Sequence, residues 1–348
     1  MKKIGIIGIR GLPALYGAFD RFVEQFVSSH KIKSQKLFFY ISCDISFKKF
    51  KFDNNIVKRV FIFRGLSFFI LINYLISIIR LYFYGVRCFV FFGYGAAPFF
   101  ILLKILNCQI ICNPDGIEWK RPVGKIKELY FKICEKLLSS VNITRIFDSK
   151  VIERYYNINH SAKGTTIYYP SIFENNKILK NINCTKNFER FYIIGRLLEE
   201  NNTEMIVNTF MKLGKKQKLY VIGNSNNFFK KKIKPLILRS KNITYLGPIY
   251  DQKKLFNICR HFDYYIHGHS VGGTNPTLIE SISLQKKIIA FDTTFNREIL
   301  KTDSCFFKNE NELLEIIKMK KYRKKKIPVF REEFTSRHIN NAYLNLIN

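Results

Sequence analysis

Runs of apolar residues alternate with amphipathic segments along most of this chain. The apolar run Lys3–Ile9 predicts a buried strand, and apolar residues then recur at helical spacing from Phe19 to Val27. Further strands are predicted at Lys36–Ser42, Val57–Phe63, Cys88–Phe92, Gln109–Asn113 and Ile143–Phe147. Helical segments are predicted near 67–84, 96–106, 122–140 and 149–156. Strands that alternate with helices indicate a parallel sheet covered on both faces.

The alternation stops in a loop-like region between Tyr168 and Lys186 and then resumes. Strands are predicted at Phe191–Gly195, Lys218–Ile222, Ile243–Leu246 and Tyr264–His267, and helices near 202–213, 226–238, 251–260 and after Gly273. We therefore expect two α/β domains, 1–170 and 171–330, and a closing helix at 331–348 that can pack back on the first domain. Ligands of open parallel sheets bind outside the carboxyl ends of the strands, so two facing sheets predict a site in the cleft between them.

The formal net charge of +32 is unusual in a composition that is otherwise globular, with 47% hydrophobic and 16% aromatic residues. Such a charge is expected of a chain that contacts nucleic acid, an anionic membrane or a phosphorylated substrate. Lysines that only solvate the surface of a chain with biased composition explain it equally well. The apolar run Leu66–Ile79 is too short to span a bilayer, so we expect a soluble or peripheral protein.

Metal chemistry has little support in the sequence. The eight cysteines form no C-x-x-C pair, and no D-x-D occurs. We expect free thiols in a reducing cytosol and no metal site.

The segment Gly272–Glu280 carries the clearest chemistry. A glycine pair leads from a strand into a helix whose first turn has no bulky side chain. Backbone N–H groups there can hold an anion at the positive end of the helix. Glu280 follows further along, where a carboxylate can reach a sugar hydroxyl. A site for both phosphate and hydroxyl predicts a nucleotide sugar, and hence a glycosyltransferase.

Two further strand ends carry charged residues. Arg196 follows the first strand of the second half, where it can pair with a diphosphate; a surface salt bridge with Glu199 or Glu200 is the alternative. Asp115 follows a strand of the first half, where it can orient or deprotonate an acceptor hydroxyl. Turn chemistry at Asp115, with Trp119 as a core anchor, explains that segment equally well.

The turn after the first predicted strand excludes a dinucleotide cofactor. Aligned from Gly8, the second and third glycines of a dinucleotide-binding fingerprint fall on Arg10 and Pro13. What remains is a glycine-flanked helix start at Tyr16–Asp20, with Arg10 available for a charge.

Taken in order, these motifs resemble those of bacterial family-4 glycosyltransferases of the GT-B fold, and more narrowly of the β1–4 rhamnosyltransferases of capsule and O-antigen assembly. The motifs are Gly8–Pro13, Tyr16–Asp20, Asn113–Arg121, Ile146–Ser149, Gly195–Arg196 with Glu200–Asn202, His269–Glu280 and Phe295–Glu298. Compared with the wider superfamily, Gly272 replaces the first of two glutamates and Asn201 replaces the diphosphate lysine, and both features resemble the rhamnosyltransferase subgroup. Compared with that subgroup, Ala18 replaces a glycine and Asp20 a longer acidic residue.

The resemblance implies two facing Rossmann-like domains and transfer of L-rhamnose from dTDP-rhamnose with retention at the anomeric carbon. It implies catalytic roles for Asp115 and Arg196. The donor-binding residues it implies are Arg196, Asn201, Gly273, Thr274, Asn275, Glu280 and Gly11. The acceptor-binding residues it implies are Arg10, Tyr16, Gly17, Glu118 and Arg121. No cofactor and no divalent metal are expected.

The implied acceptor is a polyprenyl-diphosphate-linked saccharide, which places the chain in the cytoplasm on the inner face of the plasma membrane. An anionic membrane surface would then use the positive charge, with 66–84 and Lys318–Lys326 as candidate contacts. Two alternatives remain. One is a transferase that uses a UDP-, GDP- or ADP-sugar. The other is a basic nucleic-acid-binding protein, although the chain lacks a recognisable nucleic-acid-binding motif and no nucleic-acid partner is expected.

Overall fold

The structure, a computed structural model, describes residues 1–15, 17–63, 70–121, 124–174 and 188–348. The chain forms two compact units. Unit 1 comprises Met1–Tyr169 and Ser336–Asn348, and unit 2 comprises Pro170–Thr335. Each unit contains one parallel sheet, which confirms the predicted pair of α/β halves.

Unit 1 has a seven-stranded sheet in the order β3-β2-β1-β4-β5-β6-β7. Its strands are β1 (Lys2–Ile7), β2 (Leu37–Asp44), β3 (Val57–Ile62), β4 (Cys88–Phe92), β5 (Gln109–Asn113), β6 (Thr144–Phe147) and β7 (Thr165–Thr166). The α-helices described in this unit before its last helix are α1 (Ala18–Ser28), α2 (His30–Lys33), α3 (Ile70–Phe83), α4 (Phe100–Ile105), α5 (Lys125–Ser140) and α6 (Lys150–His160). Strand β1 ends before the predicted Ile9 because Gly8, with φ of +110°, leaves the extended region.

Unit 2 has a six-stranded sheet in the order β10-β9-β8-β11-β12-β13. Its strands are β8 (Glu189–Ile194), β9 (Gln217–Ile222), β10 (Ile243–Gly247), β11 (Tyr264–His267), β12 (Lys287–Phe291) and β13 (Cys305–Phe307). Its α-helices are α7 (Thr203–Met211), α8 (Lys234–Arg239), α9 (Gln252–Cys259), α10 (Pro276–Ser283), α11 (Thr294–Leu300) and α12 (Glu310–Lys318). The single helix predicted near 226–238 is divided into a π-helical turn at Phe229–Ile233 and α8. Pro235 accounts for the division, because it has no N–H for the helix ladder.

Strand β4 shows how the sheet of unit 1 is covered on both faces. Its residues are all buried and alternate between two core clusters: Val90 and Phe92 face one, Phe89 and Phe91 the other. Helix α1 and the last helix, α13 (Ser336–Ile347), cover the first face. Helices α3, α4 and α5 cover the second. Both faces of this strand are buried, as is typical of a parallel sheet covered by helices on both sides.

Helix α13 completes the core of unit 1. The Tyr343 ring lies 4.8 Å from that of Phe22 and 5.8 Å from that of Phe26, measured between centroids. Both phenylalanines belong to the apolar stripe of α1.

None of the described helices combines the length and the hydropathy needed to cross a membrane.

Candidate functional site

The strand order places the predicted donor residues of unit 2 at its topological switch point. Strands β8 and β11 are neighbours in the sheet although β9 and β10 separate them in sequence. From β8 the connections lead toward one edge and from β11 toward the other, which opens a crevice at their carboxyl ends. Arg196 follows β8, and the segment from Gly268 to Asn275 follows β11.

The loop after β8 is held by its own polar groups. The Arg196 guanidinium pairs with Glu200, with 2.8 Å between Nη2 and Oε1, yet the Arg196 side chain is 62% exposed. Asn201 donates its amide to the Arg196 carbonyl, at 2.6 Å. The salt-bridge alternative for Arg196 is therefore present in the structure. An exposed pair of this kind is worth about 0–1 kcal/mol, so a diphosphate can compete for the guanidinium.

The loops after β8 and β11 are bound to each other. Asn201 Oδ1 lies 2.8 Å from His269 Nδ1, and Asn202 donates to the Gly268 carbonyl at 2.8 Å. Ser270 donates from both its N–H and its hydroxyl to the Glu200 carbonyl. Asn201, which the resemblance implies to be a donor-binding residue, thus holds the loop after β8 against the loop after β11.

A chain of buried hydrogen bonds fixes the start of α10. Asn275 caps the helix: its Oδ1 accepts from the Thr277 N–H at 3.0 Å and from the Thr277 hydroxyl at 2.8 Å. The same hydroxyl lies 2.9 Å from the Tyr265 hydroxyl, which lies 2.9 Å from His267 Nδ1. Burial, together with the charge of His269, holds the pKa of His267 well below its ordinary value. A neutral imidazole therefore ends the chain.

The residues that lead into α10 offer donors to an anion. In the described part of the chain, the N–H groups of Gly273, Thr274 and Asn275 have no hydrogen-bond acceptor. The buried Thr274 hydroxyl also lacks a partner among the described residues. Glu280 lies on the same helix and is 3% exposed. The N–H groups and the carboxylate therefore belong to one continuous segment, the former before α10 and the latter within it.

In unit 1 the turn after β1 is closed by a residue of α1. The Asp20 carboxylate, buried at 3% exposure, accepts from the Arg10 N–H at 2.9 Å. Gly11 is buried in this turn, whereas Arg10 and Gly17 are exposed and Gly17 is the N-cap of α1. Tyr16 lies outside the described residues. Asp20 therefore stabilises the turn after β1, a role that was not predicted from the sequence.

Asp115, Glu118 and Arg121 come together in the segment after β5. Arg121 lies 2.9 Å from Glu118 and 3.6 Å from Asp115, measured from guanidinium nitrogen to carboxylate oxygen. The Tyr169 hydroxyl donates to Asp115 at 3.1 Å, and burial, with the nearby carboxylates, raises the pKa of that phenol. The Asp115 side chain is 35% exposed, so it remains accessible to an acceptor hydroxyl.

A buried carboxylate that was not predicted from the sequence holds the segment after β5 in place. Glu135 of α5 accepts from the Trp119 indole at 2.8 Å and from the Tyr155 hydroxyl at 2.8 Å. His160 Nε2 lies 2.7 Å from the same carboxylate. The available signal was a glutamate on the apolar face of α5, between the buried Cys134 and Leu138. A charge at such a position requires partners.

The described residues contain no recognisable metal site. No group of three or more histidine, cysteine or acidic side chains there is arranged to hold an ion. The adjacent His267 and His269 each use Nδ1 in a hydrogen bond to a protein side chain.

Comparisons with known proteins place this geometry in context. A family model described as "Domain of unknown function (DUF1972)" matches residues 1–171. No curated protein matches the chain. Sucrose-phosphate synthase from Thermosynechococcus elongatus superposes with a TM-score of 0.80 at 14% identity, covering 99% of this chain and 98% of that one. The chain has the GT-B fold.

Other GT-B structures are similar over the same length. The structure of Anabaena HepE in complex with UDP superposes with a TM-score of 0.72 at 12% identity, and the superposition covers 99% of each chain. WaaG, a glycosyltransferase involved in lipopolysaccharide biosynthesis, has a TM-score of 0.68 at 10% identity, with 99% of this chain and 94% of WaaG covered. At these identities the likeness establishes the GT-B fold, and the two predicted parallel-sheet domains agree with it.

Proposed function

We propose that this GT-B chain is a retaining glycosyltransferase that takes its sugar from a nucleoside diphosphate. The observation that carries the proposal is the unit 2 switch point, where the exposed Arg196 guanidinium and the unpaired N–H groups at the start of α10 follow adjacent strands. Both kinds of donor suit a diphosphate. Glu280 would hold the ribose.

The reaction would proceed on one face of the sugar. The bond from the anomeric carbon to the diphosphate oxygen breaks, and the acceptor oxygen bonds to the same carbon on the same face. The departing phosphate oxygen takes the acceptor proton. Arg196 and the N–H groups of Gly273, Thr274 and Asn275 would stabilise the charge that develops on the diphosphate, which is where preorganised donors accelerate a reaction most. Asp115 would position the acceptor hydroxyl. No cofactor or divalent metal enters this scheme.

We further propose that the donor is dTDP-rhamnose and that the acceptor is a polyprenyl-diphosphate-linked saccharide of surface polysaccharide assembly. The motif resemblance to β1–4 rhamnosyltransferases supports this choice. It would place the chain in the cytoplasm, on the inner face of the plasma membrane, where a net charge of +32 favours anionic lipid. A UDP-sugar is the second candidate donor, because HepE, of similar fold, is described with UDP and with UDP-glucose.

Thermal unfolding with dTDP, UDP, GDP and ADP in parallel, and with an oligonucleotide as control, tests the donor site. A ligand at about a hundred times its dissociation constant adds roughly 2.7 kcal/mol of stability. We expect selective stabilisation by dTDP that persists in EDTA. Selective stabilisation by UDP would replace the donor and keep the reaction class. No shift with any nucleotide, beside a salt-sensitive shift with the oligonucleotide, would overturn the transferase proposal.

A further inference from the structure

Helix α3 exposes an apolar face where a surface helix is normally polar. Its outward side carries Ile72, Ile76, Ile79 and Phe83, all exposed and spaced so that they follow one stripe of the helix. The opposite side, with Ile78 and Leu81, packs on the sheet. The exposed stripe is therefore additional to the side that builds the core.

The two neighbouring helices repeat this arrangement. Ile101 and Ile105 are exposed on α4, and Ile126, Leu129 and Ile133 are exposed on α5. The last three stand three and four residues apart, which again places them on one side of a helix. Apolar side chains exposed in such stripes on three helices point to an interaction site rather than to ordinary solvated surface.

The three helices cover the same face of the unit 1 sheet. Their inward residues share a single core cluster. Both flanking helices also reach the turn before α4: Tyr130 of α5 donates to the Gly95 carbonyl, and a Cβ placed on Gly95 would lie 2.8 Å from the Tyr74 ring of α3. We call the outward side of α3, α4 and α5 the three-helix face.

Charges around the three-helix face are predominantly positive. Lys104 lies on α4, and Lys125, Lys127 and Lys136 are exposed on α5. The exposed acidic side chain of α5, Glu128, is paired with Lys132 at 2.6 Å. These exposed lysines have no acidic partner among the described residues. Together with the apolar side chains they suit a lipid bilayer, in which anionic headgroups cover an apolar interior.

A cavity at the edge strand β3 adds one guanidinium group to this face, that of Arg80 on α3. It is lined by Arg59, Arg80, Phe61, Phe83 and Tyr84. Arg80 donates to the Phe61 carbonyl at 2.6 Å, and Arg59 donates to the Leu12 carbonyl at 2.8 Å. Arg80 is thus held in place beside aromatic walls, an arrangement that fits the phosphate of a lipid headgroup. Arg59 lies on the side of β3 that faces the other core cluster.

We infer that the three-helix face docks unit 1 on an anionic phospholipid bilayer. Apolar side chains of α3, α4 and α5 enter the headgroup region, and the lysines and Arg80 bind lipid phosphates. The inference deepens the membrane association within the proposed function but does not depend on the transferase reaction. It assigns the contact to unit 1 rather than to the basic run Lys318–Lys326 of unit 2.

Sedimentation of the whole chain with vesicles tests the inference. Vesicles that contain phosphatidylglycerol should bind the protein, and vesicles of phosphatidylcholine alone should bind it much less, with or without nucleotide. The variant Phe83→Gln/Ile105→Gln/Ile126→Gln changes side chains that are 84%, 72% and 83% exposed. We expect its partition coefficient to fall about tenfold or more, because binding scales with buried apolar area.

A matched control changes equally exposed apolar residues of unit 2. The variant Leu238→Gln/Met319→Gln/Val329→Gln, at residues 75%, 64% and 72% exposed, should bind vesicles like the wild type. So should Lys320→Gln/Lys324→Gln, within the basic run. Loss of binding in either control with no loss in the three-helix variant would overturn the inference.

Two further measurements guard against misfolded variants and other occupants. Hydrogen–deuterium exchange on the wild type should show vesicle-induced protection in α3, α4 and α5. Sedimentation equilibrium without lipid should show a monomer. A self-associated wild type that the three-helix variant dissociates, together with no vesicle binding, would assign the face to a second copy of the chain. The nucleotide shift reports separately on the transferase proposal.

Discussion

His269 and Asn201 join two strand ends that lie far apart in sequence, with 2.8 Å between Nδ1 and Oδ1. Gly268 makes the approach possible: a Cβ at this position would lie 2.1 Å from the Asn201 carbonyl oxygen. Backbone atoms cannot yield as the end of a side chain can. The absence of a side chain at Gly268 is therefore what lets the loop after β11 lie against the loop after β8.

Gly268→Ala should disturb the donor site. We expect a loss of about 1–3 kcal/mol, as for overpacking, and hence a fall of several degrees in the unfolding midpoint. Nucleotide affinity should fall further than stability alone explains, because Arg196 and the α10 start would separate. Calorimetric titration with dTDP measures this. Gly214→Ala is the control, since a Cβ there meets no atom within 4 Å; equal effects of the two variants would contradict the role of Gly268.

Arg196→Ala should lower turnover without lowering stability. Loss of one preorganised donor to a developing anion costs about 10²–10³ in rate, whereas an exposed ion pair such as Arg196–Glu200 contributes about 0–1 kcal/mol. Rates with dTDP-rhamnose and thermal unfolding separate the two effects.

Arg323→Ala is the matched control for Arg196. Arg323 pairs with Glu189 at 2.7 Å, and Glu189 begins the same strand, β8, whose other end precedes Arg196. The control should keep full activity. Unchanged turnover in Arg196→Ala would remove the guanidinium from the mechanism.

The sequence predicted elements best where a continuous apolar run met clear boundaries. Strands Cys88–Phe92 and Tyr264–His267 have the predicted bounds. Strand Cys305–Phe307 was not predicted, because a run of three residues is too short to carry a pattern. The strand at Lys287–Phe291 was missed too: its lysine lies at the strand start and leaves only a short apolar run.

The sequence indicated candidate residues for the site but not the contacts between them. The sequence marked Arg196 and the start of α10 because each follows a predicted strand. It did not reveal that β8 and β11 are adjacent, since sheet order depends on how the connections cross. The hydrogen bond between Asn201 and His269 depends on that order. Asp20, whose carboxylate closes the turn after β1, was noted only as a departure from a family pattern.

Glu135→Gln should loosen the segment that carries Asp115. The amide keeps the size of the carboxylate but offers one acceptor oxygen where Trp119, Tyr155 and His160 require two. At least one buried donor then loses its partner, at a cost of about 1–3 kcal/mol. Emission of the single tryptophan should change with it. Glu128→Gln removes an exposed pair with Lys132 on the same helix and should change neither quantity appreciably.

His267 predicts how stability depends on pH. Burial lowers its pKa well below 6.5 in the folded protein, while the unfolded chain titrates near that value. Below about pH 6.5 the unfolded state therefore binds a proton that the folded state does not. Stability from this residue is complete above that pH and falls on acidification by up to about 1.4 kcal/mol per pH unit.

The variant His267→Gln should be less stable at neutral pH, since the glutamine cannot reproduce the imidazole contact with Tyr265, yet it should lose less stability on acidification than the wild type. The decisive quantity is the difference between unfolding midpoints at about pH 5.5 and 7.5, compared between the two proteins, because this difference isolates the proton linkage from the packing cost. His30→Gln, at an exposed position on α2, should preserve the wild-type difference. Parallel curves for the wild type and His267→Gln would mean that His267 takes up its proton in the folded state, and a charged ring would then end the hydrogen-bond chain that fixes α10.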